Sequence, residues 1–237
     1  MDIVYTVKAS ATNDELKYSL RTIENLPHDR VHIIGGCPEF VNQDTLTFIP
    51  TDALPSKYDT TLNNLKVACS LESLSEDFIW MNDDFYILQK VEDPARELNI
   101  QKGSIRLWLK EYKKQNLSLT KYMLGVKHTL EYLKSLGISD PDCYEMHTPF
   151  VYNKLRVNSL LERKGLKSVP MIQIRSVYGN IYNLNGELTE DVKVLRKDNL
   201  DLSKFDNKKF MSSSDFTWPK LEPYMKLKFN KKGVHEL

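Results

Sequence analysis

The sequence predicts an α/β fold, with a mostly parallel sheet flanked by helices and a less regular C-terminal third. In the first 90 residues, short β-branched or apolar runs alternate with segments of helical period, which is typical of parallel sheets covered by helices. The chain has 237 residues, of which 41% are hydrophobic and 27% charged, enough for a globular core. From residue 185 onward the sequence is polar and lysine-rich, with only short apolar clusters.

The elements of the first half follow from local patterns. Thr12 and Glu15 fit a capping box that opens a helix lined by Leu16, Leu20 and Ile23. A second helix is lined by apolar residues at helical spacing, namely Leu62, Leu65, Cys69 and Leu74. The runs that predict strands are Ile3–Val7, Val31–Ile34, Thr45–Ile49, Phe78–Met81 and, further on, Phe85–Leu88.

The second half is less regular. Helices are predicted over Ile105–Gln115 and Thr120–Leu136, the latter ended by Gly137. Turn signals fill residues 140–153, a helix is expected over Val151–Glu162, and a strand is expected over Met171–Arg175. The chain has no repeat, low-complexity tract or clear linker, so we expect a single domain over residues 1–237.

Composition excludes several classes of protein. No apolar run approaches the roughly 18 residues that a membrane-spanning helix needs, and the first residues do not resemble a secretory signal. The formal charge of +1 argues against a protein that coats nucleic acid by charge alone. Its three cysteines have neither a disulfide pattern nor zinc-site spacing, so we expect a reducing, cytoplasmic environment.

The sharpest local feature is Asn82-Asp83-Asp84, which follows an apolar strand directly. In such sheets ligands bind beyond the carboxyl ends of the strands. Two adjacent carboxylates beside a carboxamide suit Mg²⁺ or Mn²⁺ completed by substrate phosphates. The alternative is an ordinary turn, because Asn and Asp are common turn residues. Apolar runs on both sides favour the site, since carboxylates held between them are costly unless they are used.

Other candidates have weaker signals. His147 lies before a proline turn and is either a structural histidine, a loop-borne metal ligand or an acid/base group. Arg175 ends an apolar run, where it could clamp a diphosphate or form a surface ion pair. Lys57 precedes hydroxyl and amide residues that could cap a helix or meet a nucleotide. The chain contains neither a phosphate-binding P-loop nor a G-x-G-x-x-G motif, which leaves those nucleotide sites unsupported.

The chain contains, in order, the segments Asp2–Thr6, Asp14–Arg21, Val31–Ile34 and Phe78–Phe85. These segments resemble the Stealth family of nucleotide-sugar-dependent enzymes. The family blocks ELRYSLRS and LNDDF are close to ELKYSLRT and MNDDF here, and the His147-Thr148-Pro149-Phe150 segment resembles its histidine-proline block. Short phage-type glycosyltransferases are similar across HTPFVYNK and RSVYGN as well. The matching segments are Asp2–Thr6, Asp14–Arg21, Val31–Ile34, Phe78–Phe85, His147–Lys154 and Arg175–Asn180.

The resemblance implies a GT-A-like glycosyltransferase with a nucleotide-binding half, residues 1–90, and an acceptor-side half, residues 91–237. It implies Mn²⁺ or Mg²⁺ and a nucleotide-sugar donor, with a UDP-linked donor favoured. Asp83, Asp84 and His147 would be metal ligands, and Asp84, His147 and Arg175 would act in catalysis. The implied nucleotide or diphosphate contacts are Thr6, Arg21, Lys57, Asn64 and Asn82.

One departure affects the expected reaction. Stealth members usually follow the first strand with a Trp-Val-Asp-Gly-x-Asp segment, whereas this chain has Val7-Lys8-Ala9-Ser10-Ala11-Thr12. We therefore expect plain glycosyl transfer, with sugar-1-phosphate transfer as the alternative. The acceptor is either a cell-surface glycan or a hydroxymethylated DNA base. A non-catalytic nucleotide- or sugar-binding module is the alternative from another class, and the sequence leaves the oligomeric state open.

Overall fold

The computed structural model describes residues 1–114, 118–195 and 205–237. The main sheet has five strands in the order β3-β2-β1-β4-β7, of which the first four are parallel and β7 is antiparallel to β4. Two small sheets pair β5 with β9 and β6 with β8. The strands are β1 Asp2–Val7, β2 Val31–Gly35, β3 Thr47–Pro50, β4 Asp77–Asn82, β5 Phe85–Ile87, β6 Ile100–Gln101, β7 Phe150–Asn153, β8 Glu187–Leu188 and β9 Phe210–Ser212.

Helices cover both faces of this sheet. They are α1 Asp14–Thr22, α2 Lys57–Ser70, α3 Pro94–Glu97, α4 Ile105–Lys114, α5 Lys121–Ser135, α6 Lys154–Leu161, α7 Ile174–Ile181 and α8 Trp218–Lys228. Alternate residues of a strand point to opposite faces. On β1, Ile3 and Tyr5 pack in the core that contains α1, whereas Val4 packs in the core that contains α2 and α5. The predicted α/β class with a mostly parallel, helix-covered sheet is confirmed.

Some predicted boundaries in the first half are wrong. Asn13, not Thr12, caps α1, because its Oδ1 accepts a hydrogen bond from the Leu16 amide at 2.9 Å. Thr45 belongs to a short 3-10 turn before β3. Leu74 lies beyond the end of α2, although it is buried in the same core as the apolar face of that helix.

Larger corrections concern the second half. The predicted helix over Val151–Glu162 begins only at Lys154, because the residues before it pair with the edge of β4 as β7. The predicted strand over Met171–Arg175 is wrong: Met171 has a φ of 54° and Arg175 lies in α7. The strand predicted at Phe85 exists, but it pairs with β9 outside the main sheet.

Two stretches of the predictions lie outside the described residues. They are the end of the helix predicted to reach Gln115, and residues 196–204 of the lysine-rich C-terminal third. Among the helices of the described ranges, none is long and apolar enough to cross a membrane.

Candidate functional site

Chain topology brings most of the predicted residues to one edge of the sheet. Thr6 of β1 is paired with Asn82 of β4, so the two strands end side by side. Asp83 and Asp84 follow β4 directly. Since β7 runs antiparallel to β4, the residues that precede it also lie at the carboxyl end of β4. The His147 loop therefore reaches the same edge as the acidic pair, as ligand binding at strand ends requires.

A cleft at this edge has two parts. A cavity of about 210 Å³, here called the β4 cavity, is lined by Asn82, His147, Arg175 and Lys57, together with aromatic and apolar side chains. A second cavity of about 380 Å³, the β1 cavity, lies over the ends of β1 and β2 and is lined by Thr6 and Asn64 among others. Lys57 and Thr61 line both cavities, so the two parts meet at the start of α2.

The floor of the β1 cavity is built from polar side chains that are joined by hydrogen bonds. Asn64 is buried, and its Nδ2 donates to Thr6 Oγ1 at 2.9 Å. Its Oδ1 accepts from Thr51 Oγ1, also at 2.9 Å. The Asn64 carboxamide thus ties the ends of β1 and β3 to α2. Thr6 and Asn64 both line the β1 cavity, and the Asn64 side chain is occupied by protein partners.

The junction of the two cavities has positive electrostatic character. α2 begins at Lys57, after Ser56 caps it by accepting a hydrogen bond from the Tyr58 amide at 3.2 Å. The N-terminus of a helix carries partial positive charge and free amide groups, which favour bound anions. The ammonium group of Lys57 adds a full charge in the same place. This junction is therefore suited to a phosphate or diphosphate.

Asp83 and Asp84 follow β4 at this edge but line neither the β4 nor the β1 cavity, and they lie in a concentration of carboxylates. Asp83 accepts a hydrogen bond from Asn13 Nδ2 at 2.7 Å, yet burial and the charges of Asp84 and Asp215 raise its pKa. Burial also raises the pKa of Glu15 to about 7, helped by the nearby charges of Asp84, Asp83 and Asp215. Several acids here are held close together at a free-energy cost, which a bound cation would relieve.

The Asp84 carboxylate is only partly satisfied. Its Oδ2 lies 3.4 Å from Lys193 Nζ and 3.4 Å from Ser212 Oγ. Its Oδ1 is buried and has no hydrogen-bond partner among the residues that the structure describes. A buried carboxylate oxygen without a partner is costly. That oxygen is suited to a hard cation, which Asp and Glu oxygens prefer to bind.

The residues present fit a divalent ion that is held by only one or two protein ligands. Within residues 1–114, 118–195 and 205–237 there is no group of three or more His, Cys, Asp or Glu side chains arranged to hold a metal. Mg²⁺ is commonly bound by one or two carboxylates, with waters and substrate phosphates completing the shell. Asp84, with its unpaired oxygen, and the adjacent Asp83 meet that requirement, whereas a closed protein cage does not form.

His147 is oriented by an acid that the sequence did not reveal. Asp191 Oδ2 lies 2.8 Å from His147 Nδ1, and Asp191 Oδ1 accepts a hydrogen bond from the His147 amide at 3.1 Å. Burial would raise the pKa of Asp191, but the His147 contacts and the charge of Lys102, 3.3 Å away, hold it well below its usual range. A proton on Nδ1 satisfies this carboxylate, which leaves Nε2 as the basic nitrogen.

Arg175 supports the same loop. It is buried in α7, and its Nη1 donates hydrogen bonds to the carbonyls of Met146 and Thr148, each at 2.8 Å. These carbonyls flank His147, and the guanidinium also lies over the Phe85 ring, 5.4 Å from its centroid. Arg175 therefore positions the His147 loop while it lines the β4 cavity.

Arg21 is not brought to the cleft. Its guanidinium forms two hydrogen bonds to the Glu236 carboxylate, at 2.6 and 2.8 Å, and one to the Phe229 carbonyl at 2.8 Å. It lines neither the β1 nor the β4 cavity. Its observed contacts join α1 to the C-terminal segment.

Three polar residues of this region are missing from the sequence-based predictions of the site. Glu15 fits only a helix cap in the sequence pattern, and Asp191 and Lys193 carry no local signal at all. Asp191 and Lys193 reach the site because residues 189–195 run past both the His147 loop and β9, where the Val194 amide donates to the Ser212 carbonyl at 2.9 Å. Only contacts between distant segments could have identified them.

No protein-family profile and no curated protein sequence matches this chain. Among solved structures, the galactosyltransferase LgtC in complex with donor and acceptor sugar analogs is similar over 99% of this chain and 97% of that chain, with 12% identity and a TM-score of 0.48. An active-site mutant of LgtC matches 46% of this chain and 48% of that one, with 15% identity and a TM-score of 0.28.

Proposed function

We propose that this chain is a metal-dependent GT-A-like glycosyltransferase that moves a sugar from a nucleotide-sugar donor, UDP-linked in the favoured case, to an acceptor hydroxyl. The observation that carries the proposal is the shape of the cleft, in which two cavities meet at Lys57 and the first turn of α2. A nucleotide sugar has a matching arrangement, since its diphosphate joins a nucleoside to a sugar as the junction joins the two cavities.

The three parts of the donor are assigned accordingly. The nucleoside would lie in the β1 cavity, near Thr6 and over the floor built by Asn64. The diphosphate would lie at the junction, where Lys57 and the α2 amides supply positive charge. The sugar would lie in the β4 cavity near Asn82, His147 and Arg175. The sequence blocks that resemble nucleotide-sugar enzymes support the same assignment.

Asp84 and Asp83 would hold the divalent ion. Asp84 is the main ligand in this proposal because its Oδ1 is buried without a partner in the described part of the chain, whereas Asp83 is already engaged by Asn13. Such an ion would stabilise the negative charge that develops on the leaving diphosphate. Lys57 and Arg175 would add fixed positive charge around the same group.

The proposed transfer forms a bond between the acceptor oxygen and the anomeric carbon while the bond from that carbon to the diphosphate breaks. The acceptor proton must leave, and His147 Nε2 is placed to take it because Asp191 engages Nδ1. The nucleoside diphosphate keeps the electron pair of the broken bond. The resemblance also implies metal binding by His147, and the same free nitrogen serves either role.

The test is product analysis with a panel of UDP- and GDP-sugars in the presence of Mn²⁺. Glycosyl transfer or hydrolysis releases the nucleoside diphosphate, whereas sugar-phosphate transfer releases the monophosphate. We expect the diphosphate, with activity lost in Asp84→Ala and strongly reduced in Asp83→Ala. Nucleotide binding without turnover of any donor would favour the non-catalytic module and contradict the proposal. Full activity in both variants would contradict the metal assignment.

A further inference from the structure

A groove between α4 and α5 is lined by leucines and rimmed by basic residues. It has a volume of about 370 Å³ and lies among residues that line neither part of the cleft. Its floor contains Leu109 and Leu130, which are buried, and Leu119, which is partly buried. Its rim contains one carboxylate, Glu131, and five cations, namely Arg106, Lys110, Lys113, Lys127 and Lys134.

The basic residues form two rows. On α4, Arg106, Lys110 and Lys113 are spaced at i, i+4 and i+7, which places them on one helix face. On α5, Lys127 and Lys134 share a face in the same way. Two rows of positive charge therefore border an apolar strip. The pattern is typical of surfaces that meet anionic groups and apolar chains together.

Little of this charge is neutralised by the protein. Arg106 pairs with Asp140 at 3.4 Å and Lys127 with Glu131 at 3.6 Å, both on exposed surface where such pairs are weak. Lys110 and Lys113 are exposed and form no ion pair with any residue that the structure describes. The groove thus keeps a net positive field.

Two leucines extend the apolar character onto the surface. Leu107 of α4 is 53% exposed, and Leu136, just after α5, is 37% exposed. They lie at the same end of the helix pair, because the Ile105 amide donates a hydrogen bond to the Pro141 carbonyl at 2.9 Å, so α4 begins near where α5 ends. A nucleic-acid backbone would bind the cations, but it offers no apolar surface to pack against the exposed leucines beside them.

We propose that the α4–α5 surface docks on an anionic phospholipid bilayer. Its cations would contact headgroup phosphates, and Leu107 and Leu136 would enter the boundary with the acyl chains. Combined with the proposed glycosyl transfer, on which this consequence rests, docking places the acceptor at a membrane. A glycan acceptor carried by a lipid then becomes the favoured substrate class over a DNA base.

The experiment is sedimentation of the full chain with phosphatidylglycerol vesicles and with phosphatidylcholine vesicles, without nucleotide sugar. We expect binding to the anionic vesicles only, weakened by salt. Lys110→Glu combined with Lys113→Glu should weaken binding by at least about thirtyfold, because each lysine near an anionic surface contributes roughly fivefold and the introduced carboxylates are repelled by that surface. Leu107→Ser should weaken it further at constant charge.

The matched control combines Lys66→Glu with Lys164→Glu, two exposed lysines elsewhere that change the net charge equally. This pair should bind within about twofold of the unmodified chain. Equal losses in both pairs, no binding to anionic vesicles, or tight binding of a DNA duplex through Lys110 and Lys113 in place of vesicles would each overturn the proposal. Because the assay contains no donor, failure of glycosyl transfer would leave its result unchanged.

Discussion

The two ends of the parallel sheet both hold buried acids, but only one end satisfies them. At the amino end, the fully buried Asp2 carboxylate accepts hydrogen bonds from the Ser75 amide at 2.9 Å and from Arg30 Nε at 3.2 Å. His32 Nε2 lies 3.3 Å from the same group. Burial would raise the pKa of Asp2, but the hydrogen bonds from Ser75, Arg30 and His32 hold it below its usual value.

At the carboxyl end, burial and neighbouring negative charges outweigh the hydrogen bonds to the acids. Asp84 has a buried oxygen with no partner within residues 1–114, 118–195 and 205–237, burial and neighbouring acids raise the pKa of Asp83, and burial raises the pKa of Glu15 to about 7. The comparison between the two ends distinguishes two roles that a buried carboxylate can have. Hydrogen bonds stabilise Asp2 as a structural group, whereas the unsatisfied acids at the other end are suited to a ligand that the protein itself does not supply.

The largest expected effect on stability lies at the amino end. Asp2→Ala should lower the free energy of unfolding by about 3 kcal/mol, because it leaves Arg30, His32 and the Ser75 amide without their acceptor. Since the folded pKa of Asp2 is lowered, its contribution is present above the ordinary value of 3.8 and is lost as the pH falls. Urea unfolding at pH 7 measures the change.

The control for that variant is Asp77→Ala, an exposed acid on the adjacent strand β4. It should cost less than about 1 kcal/mol. If Asp2→Ala were equally mild, the amino-end acid would not be stabilised by its hydrogen bonds and the comparison between the two ends would fail.

At the carboxyl end we expect His147 and Asp191 to act as a pair in the proposed reaction. His147→Ala should lower kcat/KM by about a hundredfold, the usual contribution of a general base. Asp191→Asn should lower it by about tenfold, and the double variant should be no worse than His147→Ala, because Asp191 acts through His147.

Lys102→Met is the control for this pair, since Lys102 contacts Asp191 but forms no hydrogen bond to His147. Its loss should be smaller than that of Asp191→Asn. Additive losses in the double variant would show that Asp191 does not act by positioning His147.

A third prediction concerns the pH dependence of stability at the carboxyl end. The folded pKa of Glu15 is raised from the ordinary value of 4.5 to about 7, so the folded chain holds this proton more tightly than the unfolded chain. Its contribution is complete below pH 4.5 and is lost as the pH rises through 7. Glu15→Gln should therefore be more stable than the unmodified chain at pH 8 by about 2 kcal/mol, with no such gain near pH 4.

Urea unfolding of both proteins across this range, without metal ions, provides the comparison. Parallel curves at all pH values would mean that Glu15 is not strained by its acidic neighbours. The amino end predicts the opposite trend, since Asp2 loses its contribution at low pH.

The smallest expected effect concerns the cation already beside Asp84. Lys193→Met removes a positive charge 3.4 Å from the carboxylate, so Mn²⁺ binding measured by calorimetry should tighten by about fivefold. Lys208→Met, an exposed lysine elsewhere, should leave Mn²⁺ binding unchanged. Weaker binding in Lys193→Met would show that this lysine supports the site instead of competing with the ion.

The parts of this molecule that could be predicted from sequence are those that depend on neighbours along the chain. The strand ending at Asn82 and the acidic pair after it are read from one apolar run, and their place at the sheet edge follows from parallel topology. Asp191 and Lys193 could not be found in this way, because they reach His147 and Asp84 across 44 and 109 residues of sequence.

Errors in the second half have a related cause. Residues 151–153 are apolar enough for a strand or a helix, and pairing with the edge of β4 decides between them. Arg175 was expected at a strand end exposed to ligand. Its burial in α7, with Nη1 bound to two loop carbonyls, gives it a positioning contact that periodicity does not reveal.

The most direct test of the metal assignment compares Asp84→Asn with Asp77→Asn. The two substitutions are chemically the same, but Asp84 lies just past the carboxyl end of β4, whereas Asp77 is the first residue of that strand. The measurement is the rate of nucleoside diphosphate release from the preferred nucleotide sugar with Mn²⁺. We expect a loss of at least about a hundredfold for Asp84→Asn, since charge stabilisation on the leaving group is removed, and little change for Asp77→Asn. Equal rates in the two variants would contradict the claim that the carboxyl-end acids hold the catalytic ion.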